Sequence, residues 1–219
     1  MPSLTLTHVF KTSVFKASVF KTSIFKDDGL MPRMPRVAAW LLGGLLLFGS
    51  PVLWAQTVSE EGERFERTLE ENGQRYALIG SGVFTYMIWT AYAGAYYQAE
   101  GETDPRPQSD IPRRLELAYF HDIEAEEFAD ATTETLQKNL TAYEYSQLET
   151  DINAFNQRYQ DVEPQDRYVL SWDGDTLRLA LNGEVLFEGA NAELASALFG
   201  IWLGERPLGE DFRDALLGR

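Results

Sequence analysis

The C-terminal part of the chain contains the feature that most restricts its fold, an Asn-Gly pair followed by a strongly apolar helix pattern. Asn182-Gly183 separates two short alternating segments, and this pair favours the type I′ hairpin turn because both central residues need a positive φ. The helix pattern after it begins at Asn191, a suitable cap, and closes at Gly204, where a helix can end in the left-handed conformation. The sequence predicts a hairpin covered by a helix. The residues expected to face the sheet are Leu194, Leu198, Ile201 and Trp202.

The first half of the chain carries mainly strand signals. A second Asn-Gly pair, Asn72-Gly73, predicts another hairpin, and Gly80-Ser81-Gly82 predicts a bulge or a close approach of two backbones. The run from Phe84 to Tyr97 is aromatic and apolar at both alternating positions. It is therefore predicted to form one long central strand that is covered on both sides, with Thr90 and Tyr92 on the same face.

Helix signals then interrupt the strands. Asp122 can cap a first helix, and a second helix is predicted from about Ser146. Residues 168–187 alternate as a three-stranded meander, and residues 209–218 predict a last short helix. The order of strands, a helix pair, strands and two helices indicates an α+β domain with an antiparallel sheet whose helices gather on one face.

The first 30 residues consist largely of a tandem five-residue repeat, VFKTS and its variants. Solenoid modules need roughly 20–50 residues per unit, so this repeat is too short to stack. We interpret it as a low-complexity leader translated from a start codon that was assigned too early. An alternating apolar strand and a basic membrane-surface peptide are the alternative interpretations.

Residues 31–55 show the order of a secretory signal peptide: a basic start, the uncharged run Val37–Gly49, and a small residue, Ala55, at the cleavage position. The sequence thus predicts export, with the periplasm as the expected location. The alternative is an uncleaved N-terminal anchor, although the apolar run is shorter than the roughly 20 residues of a spanning helix. Residues 56–64 are expected to be a loose segment before one domain over residues 65–219.

The chain after residue 55 is strongly acidic and has no cysteine. Once the leader's six basic and two acidic residues are set aside, 13 basic and 32 acidic residues remain, a net charge of −19. Such a chain repels phosphate backbones and anionic lipid surfaces, so neither nucleic acid nor stable membrane insertion is expected. No cofactor or metal is predicted either, because His121 is its single histidine and Asp173-Gly174-Asp175 lacks the further ligands of an EF-hand loop.

Several short segments together resemble the bacterial chalcone isomerase-like proteins, which are mostly exported and of unassigned activity. The most specific is Phe199-Gly200-Ile201-Trp202-Leu203-Gly204, and the resemblance covers roughly Phe65 to Gly218. It implies an open-faced β-sandwich, a large curved antiparallel sheet with helices on one side and a cleft for an apolar ligand between them. The supporting segments are Gly80-Ser81-Gly82-Val83, Tyr119-Phe120-His121-Asp122-Ile123, Asp161-Val162-Glu163-Pro164-Gln165-Asp166-Arg167, Leu181-Asn182-Gly183 and Leu216-Leu217-Gly218.

The same resemblance predicts that the enzyme's chemistry is lost. Plant chalcone isomerases use an arginine shortly after the Gly-x-Gly, a threonine on the next strand, and a tyrosine and an asparagine seven residues apart on the first long helix. An anionic transition state without such preorganised donors loses its main stabilisation, so chalcone isomerisation is not expected. The corresponding positions here are Val83 or Phe84, Tyr92 (with Thr90 two residues earlier), Phe128 and Thr135.

Related fatty-acid-binding proteins also use an arginine, which holds the ligand carboxylate. Arg75 and Arg114, on neighbouring strands, are the candidates to replace it. Apolar surface with hydroxyl tips is the mixture that small-molecule sites use. Only Tyr92 and Thr90 are candidates for any remaining catalysis. The residues predicted to bind a ligand are Tyr86, Thr90, Tyr92, Phe128 and Thr135.

Three hypotheses follow from these observations. The first is a non-catalytic exported protein that binds a small apolar or aromatic ligand, fatty-acid-like or other. The second is a residual intramolecular lyase or isomerase that uses Tyr92 and Thr90. The third is a periplasmic module that binds a protein partner through its acidic surface.

Overall fold

A computed structural model describes residues 57–102, 104 and 111–219. The predicted leader (1–30) and signal peptide (31–55) lie outside the described residues. The strands are β1 (Thr57–Glu60), β2 (Glu63–Glu66), β3 (Thr68–Glu71), β4 (Gln74–Tyr86), β5 (Trp89–Ala99), β6 (Arg113–Tyr119), β7 (Arg167–Trp172), β8 (Leu177–Leu181) and β9 (Glu184–Gly189). The helices are α1 (Ala125–Asn139), α2 (Ala142–Asn156), α3 (Ala192–Leu203) and α4 (Glu210–Leu216).

Strands β3 to β9 form one antiparallel sheet in sequence order, with α1 and α2 inserted between β6 and β7. Both Asn-Gly hairpins are confirmed, since Asn72 and Gly73 at the β3–β4 turn, and Asn182 and Gly183 at the β8–β9 turn, all have positive φ. The predicted meander over β7, β8 and β9 is also confirmed. The sheet is curled, as shown by the ion pair between Glu71 on β3 and Arg114 on β6, which are separated by two strands. The α+β prediction is therefore correct.

The predicted loose segment 56–64 is wrong for the residues that the structure describes. β1 and β2 form a two-stranded hairpin in which Val58 pairs with Phe65. Phe65 is almost completely buried against the sheet face opposite the helices, beside Tyr76, Tyr97 and Ala95. Phe65 is held under the Arg167 guanidinium, which also pairs with Glu63, so the hairpin is fixed by contacts with distant residues that the charged local sequence does not reveal.

The predicted long strand over 84–97 is also corrected. β4 ends at Tyr86 and β5 begins at Trp89, with Met87 and Ile88 forming the turn between them. The sequence gives no signal for this turn, because neither turn residue is a glycine, asparagine or proline. The prediction that the strand is covered on both sides is confirmed for β5.

The two sides of β5 belong to two separate cores. Tyr92 and Tyr96 pack with the helices in the larger core, which also holds the inward side chains of β6 to β8. Ala93, Ala95 and Tyr97 alternate with them and pack under the β1–β2 hairpin in the smaller one. The period of two along one strand thus supplies both cores.

The helix termini depend on local capping. α1 starts at Ala125 rather than next to Asp122, because Ile123 is bridged to Val162 and leaves Glu124 as the cap. α2 starts four residues before the predicted Ser146, since Thr141 and Glu144 form a capping box.

Asn191 caps α3 as predicted, accepting backbone hydrogen bonds from Glu193 and Leu194. Gly204 ends α3 with a φ of −77° and an extended backbone, so the predicted left-handed ending is wrong. Among the described residues, no helix is both long and apolar enough to cross a membrane.

α4 lies directly on the sheet, and glycines make this approach possible. A Cβ on Gly80 would lie 2.2 Å from the Ala215 carbonyl oxygen, and one on Gly94 would lie 2.7 Å from the Phe212 ring. The β4–β5 register also shifts between Leu78 and Gly80, which confirms the predicted bulge and close approach. Phe212 is thereby held against the middle of β5.

Candidate ligand-binding site

Tyr92 on β5 is the centre of an aromatic cluster on the helix side of the sheet. The β4–β5 register shifts after the Phe84–Tyr92 pair, which leaves Ala91 as an extra residue in β5. Because of this bulge, Ala91 rather than Thr90 packs with Tyr92 against the helix-side core, and the predicted shared face of Thr90 and Tyr92 is broken. The Phe84 ring stacks on Tyr92 with centroids 4.9 Å apart, and Phe212 meets both rings edge-on.

The hydroxyl of Tyr92 is already engaged by α3. The indole Nε1–H of Trp202 donates a hydrogen bond to the Tyr92 oxygen at 3.0 Å. Burial raises the pKa of Tyr92 above its ordinary value, and the hydrogen bond from Trp202 offsets only part of that shift. Tyr92, which is 7% exposed, is therefore a neutral hydroxyl near pH 7 and poorly suited to act as a general base.

The cluster continues from Tyr92 towards the first helix. Tyr119 lies 5.4 Å from Tyr92, and Phe128 on α1 lies 5.4 Å from Tyr119, measured between ring centroids. Phe128 also stacks on Tyr159, whose hydroxyl is 2.9 Å from the Thr132 hydroxyl. The rings lie against one another, so a ligand here would have to pack along their accessible edge or separate them.

The five predicted ligand residues do not form one compact group. Tyr92 and Phe128 both belong to the aromatic cluster and are joined through Tyr119. Tyr86 and Thr90 are half-buried and lie closer to the Met87–Ile88 turn. Thr135 is buried two turns further along α1. Their roles in binding stay predictions.

Neither arginine predicted to hold a carboxylate lies in this cluster. Arg75 pairs with Glu100 at 3.2 Å and both side chains are about half exposed. Arg114 bridges Glu71 and Glu116, at 2.6 and 2.9 Å, on the sheet face opposite the helices. The proposed replacement of the missing arginine by either residue is therefore wrong.

An arginine that does contact the helices from the sheet is Arg113, which sequence reasoning did not select. Its guanidinium lies over the Phe199 ring at 4.6 Å and donates to the Ser196 hydroxyl at 3.3 Å. The alternation of β6 was the available signal, since it places Arg113 on the same face as Leu115 and Leu117. Trp202 was likewise predicted only as a residue that faces the sheet, yet it donates a hydrogen bond to Tyr92, and Phe212 on α4 packs edge-on against the same ring.

A groove of about 390 Å³ lies on the opposite face, and a smaller one of about 190 Å³ adjoins it. They share Glu71, Arg114 and Arg167 in their walls. Arg167 pairs with Glu63 and Glu116 at 3.0 and 2.8 Å, so these charges neutralise one another within the fold. We therefore interpret these grooves as the surface of a structural ion-pair network rather than as the ligand site.

The remaining candidates from the sequence have structural roles. His121 is exposed and its ring meets Trp89 edge-on at 6.1 Å. Asp173 pairs with Arg178 and accepts hydrogen bonds from the backbone of Asp175 and Thr176, so its oxygens close a turn. Within residues 57–102, 104 and 111–219, no three His, Asp or Glu side chains are grouped to hold a metal ion.

Comparison with known proteins agrees with this architecture. The sequence profile described as chalcone isomerase-like matches residues 57–218. The chain belongs to the chalcone isomerase-like family. Among solved structures, this chalcone isomerase-like domain is similar to the fatty-acid binding protein of Arabidopsis thaliana with a TM-score of 0.56 and 15% identity, over 74% of this chain and 96% of that one. At that identity the likeness shows the shared fold. No curated protein matched the sequence at the significance applied.

Proposed function

We propose that this chalcone isomerase-like protein binds a small apolar or aromatic ligand on the helix side of its sheet, without chemical turnover. The supporting observation is the Phe84 ring stacked on Tyr92, since Phe84 is one of the two positions, with Val83, at which the resemblance to the enzymes puts an arginine. An uncharged ring there favours an apolar ligand and cannot bind a phenolate. The fatty-acid binding of the Arabidopsis protein, which shares the fold, is consistent with this proposal.

The polar groups of the cluster support binding over catalysis. Trp202 donates to Tyr92, and the Thr132 and Tyr159 hydroxyls bond each other, so these groups are paired within the protein. A residual isomerase that used Tyr92 as a general base would need its phenolate, and burial raises the pKa of this hydroxyl further above its ordinary value. Half-buried Phe84, Phe128 and Trp202 give the cluster an accessible apolar edge on which a ligand can lie.

Titration of the full-length chain with cis-parinaric acid, a fluorescent fatty acid, tests this proposal. Trp202→Leu is expected to weaken binding about tenfold, equivalent to about 1.4 kcal/mol, because it removes apolar contact area at the edge of the cluster. Val185→Ala, on the opposite sheet face and 50% exposed, is the matched control and should bind as the parent does. Equal affinities for the two variants, or no ligand in native mass spectra, would contradict the proposal.

Chalcone and other enone substrates separate binding from turnover. Flat progress curves are expected for the parent chain. Turnover that disappears in Tyr92→Phe would favour the isomerase hypothesis instead. A partner captured equally well at low and high salt would count against recognition through the acidic surface, since exposed charges are screened.

We also propose that the protein acts after export, following cleavage behind Ala55. The basic and apolar order of residues 31–55 supports this proposal. N-terminal sequencing of the natural protein is expected to begin at Gln56. A start at Met1, Met31 or Met34 would favour the uncleaved anchor.

A further inference from the structure

The turn between β4 and β5 exposes three large apolar side chains in succession. Met87 is 79% exposed, Ile88 is 85% exposed and Trp89 is 44% exposed. Single exposed apolar residues are common on protein surfaces, but a consecutive group at one projecting point marks an interaction site. We call Met87, Ile88 and Trp89 the apolar tip.

The apolar tip projects beyond the strands on either side of its hairpin. β6 pairs with β5 only as far as Tyr92, and β3 pairs with β4 only as far as Ala77. Residues 85–90 consequently pair in the sheet only with one another. At about 3.3 Å per residue, the turn reaches roughly 10 Å past the Phe84–Tyr92 pair.

The hairpin that carries the apolar tip is free of charge. From Tyr76 to Ala99, 24 consecutive residues include no Asp, Glu, Lys, Arg or His, in a chain in which 24% of residues are charged. The nearest ionisable ring is that of exposed His121, against Trp89. Inserting this tip into an apolar medium would therefore require no charged side chain of the hairpin to lose its water.

Backbone conformation adds a second observation. Met87 has a φ of +56°, a region that favours glycine and is unfavourable for an ordinary side chain. Two other hairpin turns of the same sheet, β3–β4 and β8–β9, place Asn-Gly at such positions, and the β7–β8 turn uses Gly174. The apolar tip is thus less favourable for folding than a turn this sheet already uses twice, which indicates that the exposed side chains serve another purpose.

We propose that the apolar tip inserts into the interfacial layer of a zwitterionic phospholipid bilayer. Trp is enriched at that depth, and interfacial segments bury their apolar face about 5–10 Å, which matches the reach of the turn. A protein partner is less suitable, because stable interfaces bury about 800 Å² per partner and this projection offers three side chains. The acidity of the domain opposes anionic lipid and leaves a phosphatidylcholine-like surface as the partner. Tip insertion is reversible and does not require a ligand in the aromatic cluster.

The absence of cysteine permits a site-specific test on the full-length chain. Ile88→Cys, Tyr143→Cys and Val185→Cys, each labelled with a nitrobenzoxadiazole fluorophore, report from the tip, from α2 and from the opposite sheet face. The parent side chains at 143 and 185 are 73% and 50% exposed, so all three labels start in water. With phosphatidylcholine vesicles, the label at 88 is expected to shift to the blue and become several-fold less accessible to iodide, while the other two do not change.

The N-terminal segment could also bind the full chain to a vesicle, but such binding would not protect the label at position 88 more than the labels at 143 and 185. A label at 88 that stays as accessible as those at 143 and 185 would overturn the proposal. Protection that appears without vesicles and rises with protein concentration would also overturn it, because it would indicate contact between copies of the chain.

A second variant separates insertion from folding. Met87→Gly with Ile88→Asn supplies a turn suited to a positive φ at the first position. This variant should melt at or above the parent's melting temperature, because glycine relieves the positive φ at position 87, yet brominated phosphatidylcholine should no longer quench Trp89. Trp89→Phe identifies the part of the quenching that belongs to that residue. A large loss of stability in the Gly-Asn variant would mean that the tip serves the fold, and unchanged quenching would mean that Met87 and Ile88 do not drive insertion; either result would overturn the proposal.

Discussion

The two faces of the sheet are stabilised by different chemistry. On the helix side, aromatic rings around Tyr92 pack without a carboxylate among them. On the opposite side, Glu116 lies between Arg114 and Arg167, and each arginine has a further carboxylate partner in Glu71 or Glu63. Burial alone would disfavour the charge on Arg114, but Glu116 and Glu71 outweigh it and raise its pKa above the ordinary value.

β6 shows how one strand serves both faces. Leu115, Leu117 and Tyr119 point to the helices, whereas Arg114 and Glu116 alternate with them on the other face. The helix side buries mostly apolar side chains, with the guanidinium of Arg113 over the Phe199 ring as a charged exception, whereas the buried charges of the opposite face are paired with one another. The ligand site is accordingly expected on the mainly apolar helix side, and the two grooves on the charged side belong to the ion-pair network.

The largest expected effect comes from the helix side. Phe212→Ala should lower the free energy of unfolding by about 3–5 kcal/mol, because it empties the space between α4 and the Phe84–Tyr92 stack. Chemical denaturation of the full-length chain, followed by near-ultraviolet circular dichroism, measures this change. The loss should be the same at low and high salt, since it involves no charge.

Phe212→Leu, which refills part of the space, should recover more than half of that loss. A loss below about 1 kcal/mol for the alanine variant would mean that the ring is not part of the close-packed interior. It would also remove the reason for the glycine at position 94, where a Cβ would meet the Phe212 ring at 2.7 Å.

The opposite face predicts a smaller effect that depends on salt. Glu116→Gln should cost about 2 kcal/mol, because hydrogen bonds to charged groups contribute about 1.5–3 kcal/mol each and both arginines keep another partner. Glu116 is only 6% exposed, so salt should reduce the difference from the parent without abolishing it. Denaturation in low and high sodium chloride measures both quantities, and a salt-independent difference would contradict an electrostatic role for this face.

Much of the fold could be predicted because its signals are local. Asn72-Gly73 and Asn182-Gly183 specify their turns through backbone preference, and Asn191 specifies the start of α3 through its side chain. The core-facing residues of α3 recur at a clear apolar spacing along the helix. Such features depend on a few adjacent residues, so the local sequence is sufficient to predict them.

The features that could not be predicted depend on contacts between distant parts of the chain. The turn at Met87-Ile88 has no turn residues and follows from strand pairing on either side. The β1–β2 hairpin is ordered by Phe65 packing on β5, and Trp202 reaches Tyr92 from 110 positions away. The residues predicted to bind a ligand all come from the aromatic run Phe84–Tyr97 or from the first helix, whereas two neighbours of Tyr92 that other elements supply, Trp202 and Phe212, were not among them.

The smallest expected effect is a change in the free energy of unfolding at acidic pH, and it arises on the charged face alone. Burial tends to raise the pKa of Asp173, but the hydrogen bond from Arg178 and those from the backbone of Asp175 and Thr176 outweigh it, so the pKa is lowered. A carboxyl whose pKa is lower in the folded state stabilises the fold above its unfolded pKa of about 3.9, and this contribution disappears as the pH falls through the folded value. Asp173→Asn should therefore cost up to about 1 kcal/mol at pH 7 and progressively less below pH 4.

Asp175→Asn, in the same turn and exposed, is the control and should follow the parent at every pH. A difference between Asp173→Asn and the parent that is unchanged at pH 2 would show that Asp173 acts through turn geometry, and the contrast between a neutral and a charged face would then rest on Glu116 and its two arginines.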